Sequence, residues 1–115
     1  MKYMLLIYSN EQAFQALSKE ATEQGMAAYG AYTQALTQAG VLAGSNRLRP
    51  TNTASTVRVA NSKTQVLDGP YVETKEQLGG YFMIDVPDLD AALSWAARCP
   101  GASHSAVEVR PIWPM

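Results

Sequence analysis

A polar stretch beyond the middle of the chain carries the residues best suited to chemistry. It spans residues 68–80, reads DGPYVETKEQLGG and lies between two apolar runs that resemble strands. Asp68 could act as a general base or as an orienting group, provided that burial or a partner tuned its pKa. The Asp-Gly-Pro sequence equally suits a sharp turn, because aspartate bonds to nearby backbone, glycine accepts positive φ and proline fixes the exit. Asp68 is therefore a candidate catalytic carboxylate and also a candidate turn residue.

His104 is the second candidate for acid–base chemistry, and it is the single histidine of the chain. An imidazole ordinarily titrates near neutral pH, which suits proton transfer, although a lone loop histidine is more often exposed or capping. If Asp68 and His104 form a catalytic pair, they must lie in one pocket within about one water molecule's reach of each other. A single histidine and a single cysteine exclude a multi-histidine or thiolate metal site, and we expect neither a metal nor a cofactor.

Four further side chains are candidates for lining a ligand pocket. They are two tyrosines and two glutamates: Tyr29, Tyr71, Glu73 and Glu76. The alternative for the tyrosines is a core or interface position, and a run of charged residues usually forms a solvated face. The segment 73–80 is predicted to contain one tight helical turn. Gly79 and Gly80 at its end let the backbone approach a neighbour closely. That arrangement would form the rim of a pocket.

The composition indicates one globular domain, residues 1–115, with 47% hydrophobic residues and a net charge of −1. No basic excess points to direct binding of nucleic acid. The N-terminal apolar run YMLLIY is far shorter than the roughly 20 residues that span a membrane, so we expect a cytoplasmic protein with no membrane partner. Cys99 has no second cysteine to pair with and is expected to be a small buried hydrophobe. The absence of a Gly-x-Ser-x-Gly elbow and of a P-loop argues against hydrolases and nucleotide-binding proteins.

Alternation and helical periodicity place the secondary structure along the chain. Two helices are predicted: one from Ser18 to Ala39 with Ser18 as its N-cap, and one that is capped by Asp88 and runs to Cys99. The predicted strands are Lys2 to Tyr8, the segment after Gly40, Thr56 to Val59, Thr64 to Leu67, Gly80 to Val86 and the segment AVEVRPIW.

The apolar positions of these elements predict which surfaces are buried. Both faces of the first strand are apolar, which predicts a central strand that is covered on both sides. The predicted core-facing residues of the helices are Met26, Tyr29, Tyr32, Leu36 and Ala39 in the first, and Leu89, Ala92, Leu93 and Ala96 in the second.

This order of elements predicts an α+β fold of the ferredoxin-like type. Two split β-α-β units with right-handed crossovers give a four-stranded antiparallel sheet with two helices on one face, and the β-hairpin is an insertion. Two helices leave the other face of the sheet open, where an apolar strand would contact water. A homodimer that packs sheet against sheet would cover that face, and a cleft would form between sheet, helix and hairpin.

Four segments of the chain resemble the YCII-related family, and specifically its DGPF-type branch. They are MKYMLLIY, AYTQALTQAGVLAG, DGPYVETKEQLGGYFMIDVPDLDAALSWAARCP and VEVRPI, in which DGPY stands where that branch usually has Asp-Gly-Pro-Phe. The resemblance implies a dimeric ferredoxin-like, or α-β barrel, fold. It also implies a functional link to extracytoplasmic-function sigma factors, since some relatives occur beside or fused to them. One relative is a dehydrochlorinase that acts on a chlorinated hydroxyquinol.

The resemblance bears on the candidate catalytic residues as well. Relatives with a proposed active site resemble one another in a His–Asp dyad whose histidine lies near the start of the first helix. The corresponding segment here, SKEATEQGMAAYG, contains no histidine. The dyad therefore does not carry over intact, and Asp68 is the residue that stands in the family's signature motif.

Three functions follow from these features, and the sequence leaves all three open. The first is a cofactor-free enzyme that performs proton transfer, elimination or isomerisation on an aromatic or quinone-like molecule. The second is a ligand-binding or regulatory module linked to a sigma factor, for which we expect a pocket lined by aromatic residues. The third is an interaction domain whose dimer surface is its purpose, for which we expect no pocket.

Overall fold

The computed structural model describes residues 1–114. Its elements follow in the order β1 (Lys2–Ser9), α1 (Glu11–Gln15), α2 (Lys19–Gln38), β2 (Leu42–Arg47), β3 (Ser55–Ala60), β4 (Lys63–Asp68), β5 (Gln77–Asp85), α3 (Leu89–Arg98), α4 (Pro100–His104) and β6 (Ala106–Pro111). A short 3-10 turn at Thr51–Thr53 lies between β2 and β3. None of the described helices combines the length and the apolar character that crossing a membrane requires.

Four strands form one antiparallel sheet in the order β2-β5-β1-β6. The central position predicted for β1 is confirmed, with Leu5 opposite Phe82 of β5 on one side and Val109 of β6 on the other. This strand order is the one that two interlocked split β-α-β units produce. The α+β, ferredoxin-like prediction is therefore confirmed.

The hydrophobic core lies on the sheet face that carries α2 and α3. Alternate residues of β1 and β5 point into it, and the buried members of the core are Tyr3, Leu5, Ile7, Tyr32, Leu36, Phe82, Ile84, Val86, Ala92, Ala96 and Cys99. Tyr32 joins the layers, because its ring meets Phe82 edge to face at 5.2 Å and its hydroxyl donates to the Trp95 carbonyl at 2.7 Å. Burial of each large aliphatic side chain in this core contributes about 1.5–3 kcal/mol.

The two long helices begin where the sequence predicts. Ser18 Oγ accepts a hydrogen bond from the Ala21 N–H at 3.1 Å, and Asp88 Oδ1 accepts one from the Ala91 N–H at 2.9 Å. The predicted core stripes are too wide, however. Met26 is 59% exposed, and both Leu89 and Leu93 are nearly half exposed. Helical periodicity shows which face is apolar, but it does not show how far the sheet extends beneath that face.

Three local features differ from the sequence predictions. The short helices α1 and α4 were not predicted, and Pro100 begins α4 instead of ending the preceding helix, as its fixed φ permits. The helical turn predicted within residues 73–80 is wrong, because Gln77 already pairs with Ser9 in the sheet. The predicted close approach is found at Gly80, where an added Cβ would lie 2.8 Å from the Asn46 carbonyl oxygen.

The second face of the sheet is open in the single chain. Met4, Leu6 and Tyr8 alternate with the core residues of β1 and are only partly buried in the single chain. The predicted cover of this second face by a homodimer stays a prediction. The radius of gyration is 16.1 Å, whereas a compact domain of this length has about 13 Å. The principal extents of 48 × 43 × 18 Å describe a flat molecule that exposes apolar sheet surface.

Strands β3 and β4 form a separate two-stranded sheet, which confirms the predicted hairpin. Its turn uses Asn61 and Ser62, both with positive φ (52° and 61°), as the tight hairpin turns that match strand twist require. One face of the hairpin carries Val57, Val59 and Val66, each at least 60% exposed. An isolated two-stranded hairpin is marginally stable in water, so the contacts at its base matter for its position.

Candidate functional site

A groove of about 840 Å³ separates the hairpin from one end of the main sheet. Its walls are formed by most of residues 48–57, which run from the end of β2 into β3, and by most of residues 70–78, which lead into β5. Tyr8, near the end of β1, contributes to the same surface. The polar stretch singled out in the sequence therefore supplies one wall of this groove.

The lining combines aromatic, hydroxyl and charged groups on a mainly apolar background. Tyr8 and Tyr71 supply aromatic rings, and Arg49 and Glu76 supply one charge of each sign. Five hydroxyl side chains also line the groove: Thr51, Thr53, Ser55, Thr56 and Thr74. A concave, mostly apolar surface with a few placed polar groups is typical of a small-molecule site.

The base of the hairpin is closed by Gly69, which gives the Asp-Gly-Pro sequence its structural role. Gly69 has a φ of 103°, which side chains rarely tolerate, and its N–H donates to the Ala54 carbonyl at 2.7 Å. The Thr56 hydroxyl donates to the Gly69 carbonyl at 2.9 Å. These bonds tie the end of β4 to the start of β3, and the chain bends at Gly69, where the Asp-Gly-Pro sequence allows positive φ.

Glu11 contacts both walls of the groove from outside it. Its carboxylate accepts two hydrogen bonds from Thr51, one from the backbone N–H at 2.9 Å and one from the hydroxyl at 2.7 Å. The Glu11 N–H donates to Gln77 Oε1 at 3.0 Å. Glu11 was not among the residues predicted from the sequence, although Asn10, which caps α1 through the Ala13 N–H at 2.9 Å, is a recognisable start signal for a helix.

The predicted pocket residues divide between two regions. Tyr71 and Glu76 line the groove, and Glu73 lies exposed on the same segment. The guanidinium of Arg58 lies 5.1 Å from the centre of the Tyr71 ring. Tyr29 does not line this groove, because it lies half-buried in the core layer with its ring stacked on Phe82 at 6.4 Å.

The two candidate catalytic residues belong to different parts of the fold. Asp68 is the exposed last residue of β4, opposite Ser55 in the hairpin. His104 is the exposed last residue of α4, a helix that packs against β1, β6, α2 and α3. Neither lines the groove, and no hydrogen bond joins them within residues 1–114. Their pairing in one pocket stays a prediction.

The tyrosines with shifted pKa values are neutral hydroxyl groups near neutral pH. Burial raises the pKa of Tyr8, and the Glu108 carboxylate, which accepts from its hydroxyl at 3.2 Å, raises it further. Burial raises the pKa of Tyr29 well above its usual range, with Cys99 adding to the effect. Burial likewise raises the pKa of the Cys99 thiol. These groups can donate hydrogen bonds, but their shifts do not prepare them to accept protons or to act as nucleophiles.

The described residues also bear on metal binding. Across positions 1–114, no three His, Cys, Asp or Glu side chains are grouped as metal ligands would be. The groove itself offers Glu76 as its carboxylate and the hydroxyl groups named above. This set suits hydrogen bonding to an organic ligand better than it suits a metal, since a hard cation prefers several carboxylate or carbonyl oxygens around one point.

Comparison with known proteins identifies the family to which this fold and groove belong. The family model for the YCII-related domain matches residues 1–115. An uncharacterized protein of Rhizobium meliloti is 41% identical over 114 residues, which cover 97% of this chain and 92% of that relative. The match extends over both the sheet and the groove-forming segments, and the chain belongs to the YCII-related family.

Proposed function

We propose that this protein binds a small aromatic or quinone-like acid in the groove between its hairpin and its sheet, and that it does so as a homodimer. The observation that carries this proposal is the lining of the groove. Two tyrosine rings, a cluster of hydroxyl groups and the Arg49 side chain share one surface of about 840 Å³. A groove of this size suits a small organic ligand, because such sites commonly occupy 300–1,000 Å³.

The ligand class follows from the aromatic and charged groups of the groove. Tyr71 offers a ring at the hairpin side, and Tyr8 offers a second ring at the sheet side. Arg49 lines the groove, and Arg58 brings another positive charge to the Tyr71 ring. A planar ligand with a carboxylate or phenolate would pack on the rings and pair its negative charge with a guanidinium.

Binding is favoured over catalysis by the titratable groups that line the groove. Neither Asp68 nor His104 lines the groove in the single chain, although Asp68 pairs with the groove residue Ser55, and the hydroxyl of Tyr8 has a raised pKa. An acid–base enzyme needs a group within hydrogen-bond reach of the proton that it moves, with a pKa near the working pH. The proposed protein is accordingly a ligand-binding module, and the regulatory role implied by the sigma-factor association of some relatives is compatible with it.

The homodimer is supported by the open face of the sheet. The partly buried apolar residues of β1 and β5 on this face are Met4, Leu6, Tyr8, Tyr81 and Met83. Glu108 and Arg110 point to the same face from β6, two residues apart. A twofold axis can place Glu108 of one copy opposite Arg110 of the second copy, and Arg110 opposite Glu108. These ion pairs would add to the apolar contact. Sedimentation of a monomer at micromolar concentration would contradict this part of the proposal.

The binding proposal is tested by thermal denaturation in the presence of phenolic and quinonoid acids. A ligand at one hundred times its Kd stabilises the folded protein by about 2.7 kcal/mol, which raises the Tm by roughly 10 °C. We expect Arg49→Gln to reduce this stabilisation, and Arg98→Gln to preserve it because Arg98 stacks on Trp95 at 4.3 Å. If no acid raises the Tm of the wild type, the groove is not a site for this class. Equal responses from both variants would remove the role of Arg49.

A further inference from the structure

We infer that Glu11 is the positioning residue of the groove, because it holds the two walls at a fixed separation from outside the site. This inference rests on the proposed binding function and adds to it a residue that the ligand does not touch. Thr51 belongs to the wall after β2, and Gln77 belongs to the wall that leads into β5. Glu11 bonds to both of them, although they lie 40 and 66 residues away along the chain.

The side chain of Glu11 bonds to one wall of the groove, and its backbone bonds to the other. The carboxylate takes both donors of Thr51 at 2.9 and 2.7 Å, which fixes that residue in position and in orientation. The backbone N–H of Glu11 is bonded to the Gln77 side chain at 3.0 Å. Hydrogen bonds to a charged acceptor are shorter and stronger than neutral ones. Thr51 is consequently held to α1 more firmly than its local turn bonds alone would hold it.

The construction of α1 is consistent with this role. This five-residue helix buries none of its own side chains, so hydrophobic packing does not explain why it is there. It is held instead by its Asn10 cap, by the Glu11 bonds and by Phe14, whose ring lies 5.3 Å from the Arg47 guanidinium. The consequence of these contacts is that Glu11 is presented at the junction of the two walls.

The same contact extends to the hairpin side of the groove. The 3-10 turn that begins at Thr51 leads to Ala54, whose carbonyl accepts the Gly69 N–H at 2.7 Å. A shift of Thr51 would therefore loosen the bond at the base of the hairpin. The amide of Thr51 reports on the contact itself, and the amide of Gly69 reports on whether that contact positions the hairpin.

The test combines amide hydrogen exchange with the binding of 8-anilinonaphthalene-1-sulfonate, an aromatic anion, to the full-length protein. Glu11→Ala removes both acceptor oxygens, whereas Glu11→Gln keeps one. Thr51→Val removes only the hydroxyl donor. Glu20→Ala is the matched control, because Glu20, like Glu11, is a first-turn glutamate behind a capped helix start. Glu20→Ala also removes a negative charge from the first turn of a helix, but it removes no contact with the groove.

We expect Glu11→Ala to raise the exchange rates of Thr51 and Gly69 and to weaken the probe's affinity, each by about tenfold. The glutamine and valine variants should show smaller effects in the same direction, and the control should behave as the wild type. Unchanged exchange at Thr51 would overturn the inference. Faster exchange at Thr51 with unchanged exchange at Gly69 and unchanged affinity would also overturn it, because Glu11 would then hold Thr51 without positioning the site. If the wild type binds no probe, the proposed function fails, and the Gly69 exchange rate decides the inference by itself.

Discussion

The helix-covered face of the sheet and the hairpin differ in what holds them in place. On the covered face, side chains such as Leu5, Leu36 and Ile84 are fully removed from water. In the hairpin, no residue of β3 or β4 is buried, and its position depends on a few hydrogen bonds around Gly69. Apolar burial makes the first region insensitive to any single polar contact. The second region, which forms one side of the groove, is expected to be more sensitive to the loss of a hydrogen bond.

The largest contrast is expected from removing apolar volume in each region. Leu36→Ala should destabilise the protein by about 2–5 kcal/mol, because it leaves a cavity among fully buried neighbours. Val59→Ala, at a position that is 67% exposed, should change the free energy of unfolding by less than about 0.5 kcal/mol. Urea unfolding of both variants measures the difference. A large loss in Val59→Ala would show instead that the hairpin face is covered in solution.

A second comparison separates a glycine that the fold requires from one that it does not. Gly80→Ala places a Cβ 2.8 Å from the Asn46 carbonyl oxygen, so β2 and β5 must separate, at a cost of about 1–3 kcal/mol. Gly30→Ala meets no atom within 4 Å and should stabilise α2 by up to about 1 kcal/mol. Opposite shifts in Tm are expected. If Gly80→Ala leaves the Tm unchanged, β2 and β5 can separate at this position without loss of stability.

The smallest expected effect is a loss of stability at alkaline pH, and it comes from the helix-covered core. The folded pKa of Tyr29 is raised above its unfolded value of about 10, so the unfolded chain loses this proton first as the pH rises. Stability is therefore fully present below pH 10 and falls above it, by about 1 kcal/mol at pH 11 for this one group. Tyr29→Phe should remove this part of the alkaline loss.

The control for the alkaline prediction is Tyr71→Phe, in which an exposed hydroxyl is removed and the alkaline loss should persist. The free energy of unfolding is measured between pH 8 and pH 11 for the wild type and both variants. The slope of this free energy against pH is compared, so differences in stability at neutral pH do not interfere. Identical slopes for Tyr29→Phe and the wild type would mean that the Tyr29 hydroxyl opens to water without unfolding of the core.

Local signals in the sequence predicted most of the fold. Ser18 and Asp88 mark the starts of the long helices, since their side-chain oxygens satisfy backbone N–H groups that every helix start leaves free. The Asn61-Ser62 turn between two β-rich runs marks the hairpin. The features that were missed or wrong depend on distant partners. Gln77 leaves its predicted helical turn because β1 offers it a strand to pair with.

The candidate site was predicted less completely, for the same reason. Tyr71 and Glu76 belong to the polar stretch that the sequence indicated, and both line the groove. Tyr29 has the helical spacing of a core residue, and packing against Phe82 places it in the core layer. Glu11 carried no visible signal of function, because its role depends on Thr51, which lies 40 residues farther along the chain.

The sequence by itself determined the order of the strands and the two long helices, the caps of those two helices, the bend at Gly69 and the family. Each of these follows from interactions between residues that are close in the chain, or from a motif read directly. Only the tertiary structure decided that the polar stretch forms one wall of a groove, that Glu11 bonds to both walls, and that Asp68 and His104 lie on different elements. Such placements depend on how the sheet brings distant segments together, and local periodicity carries no record of that distance.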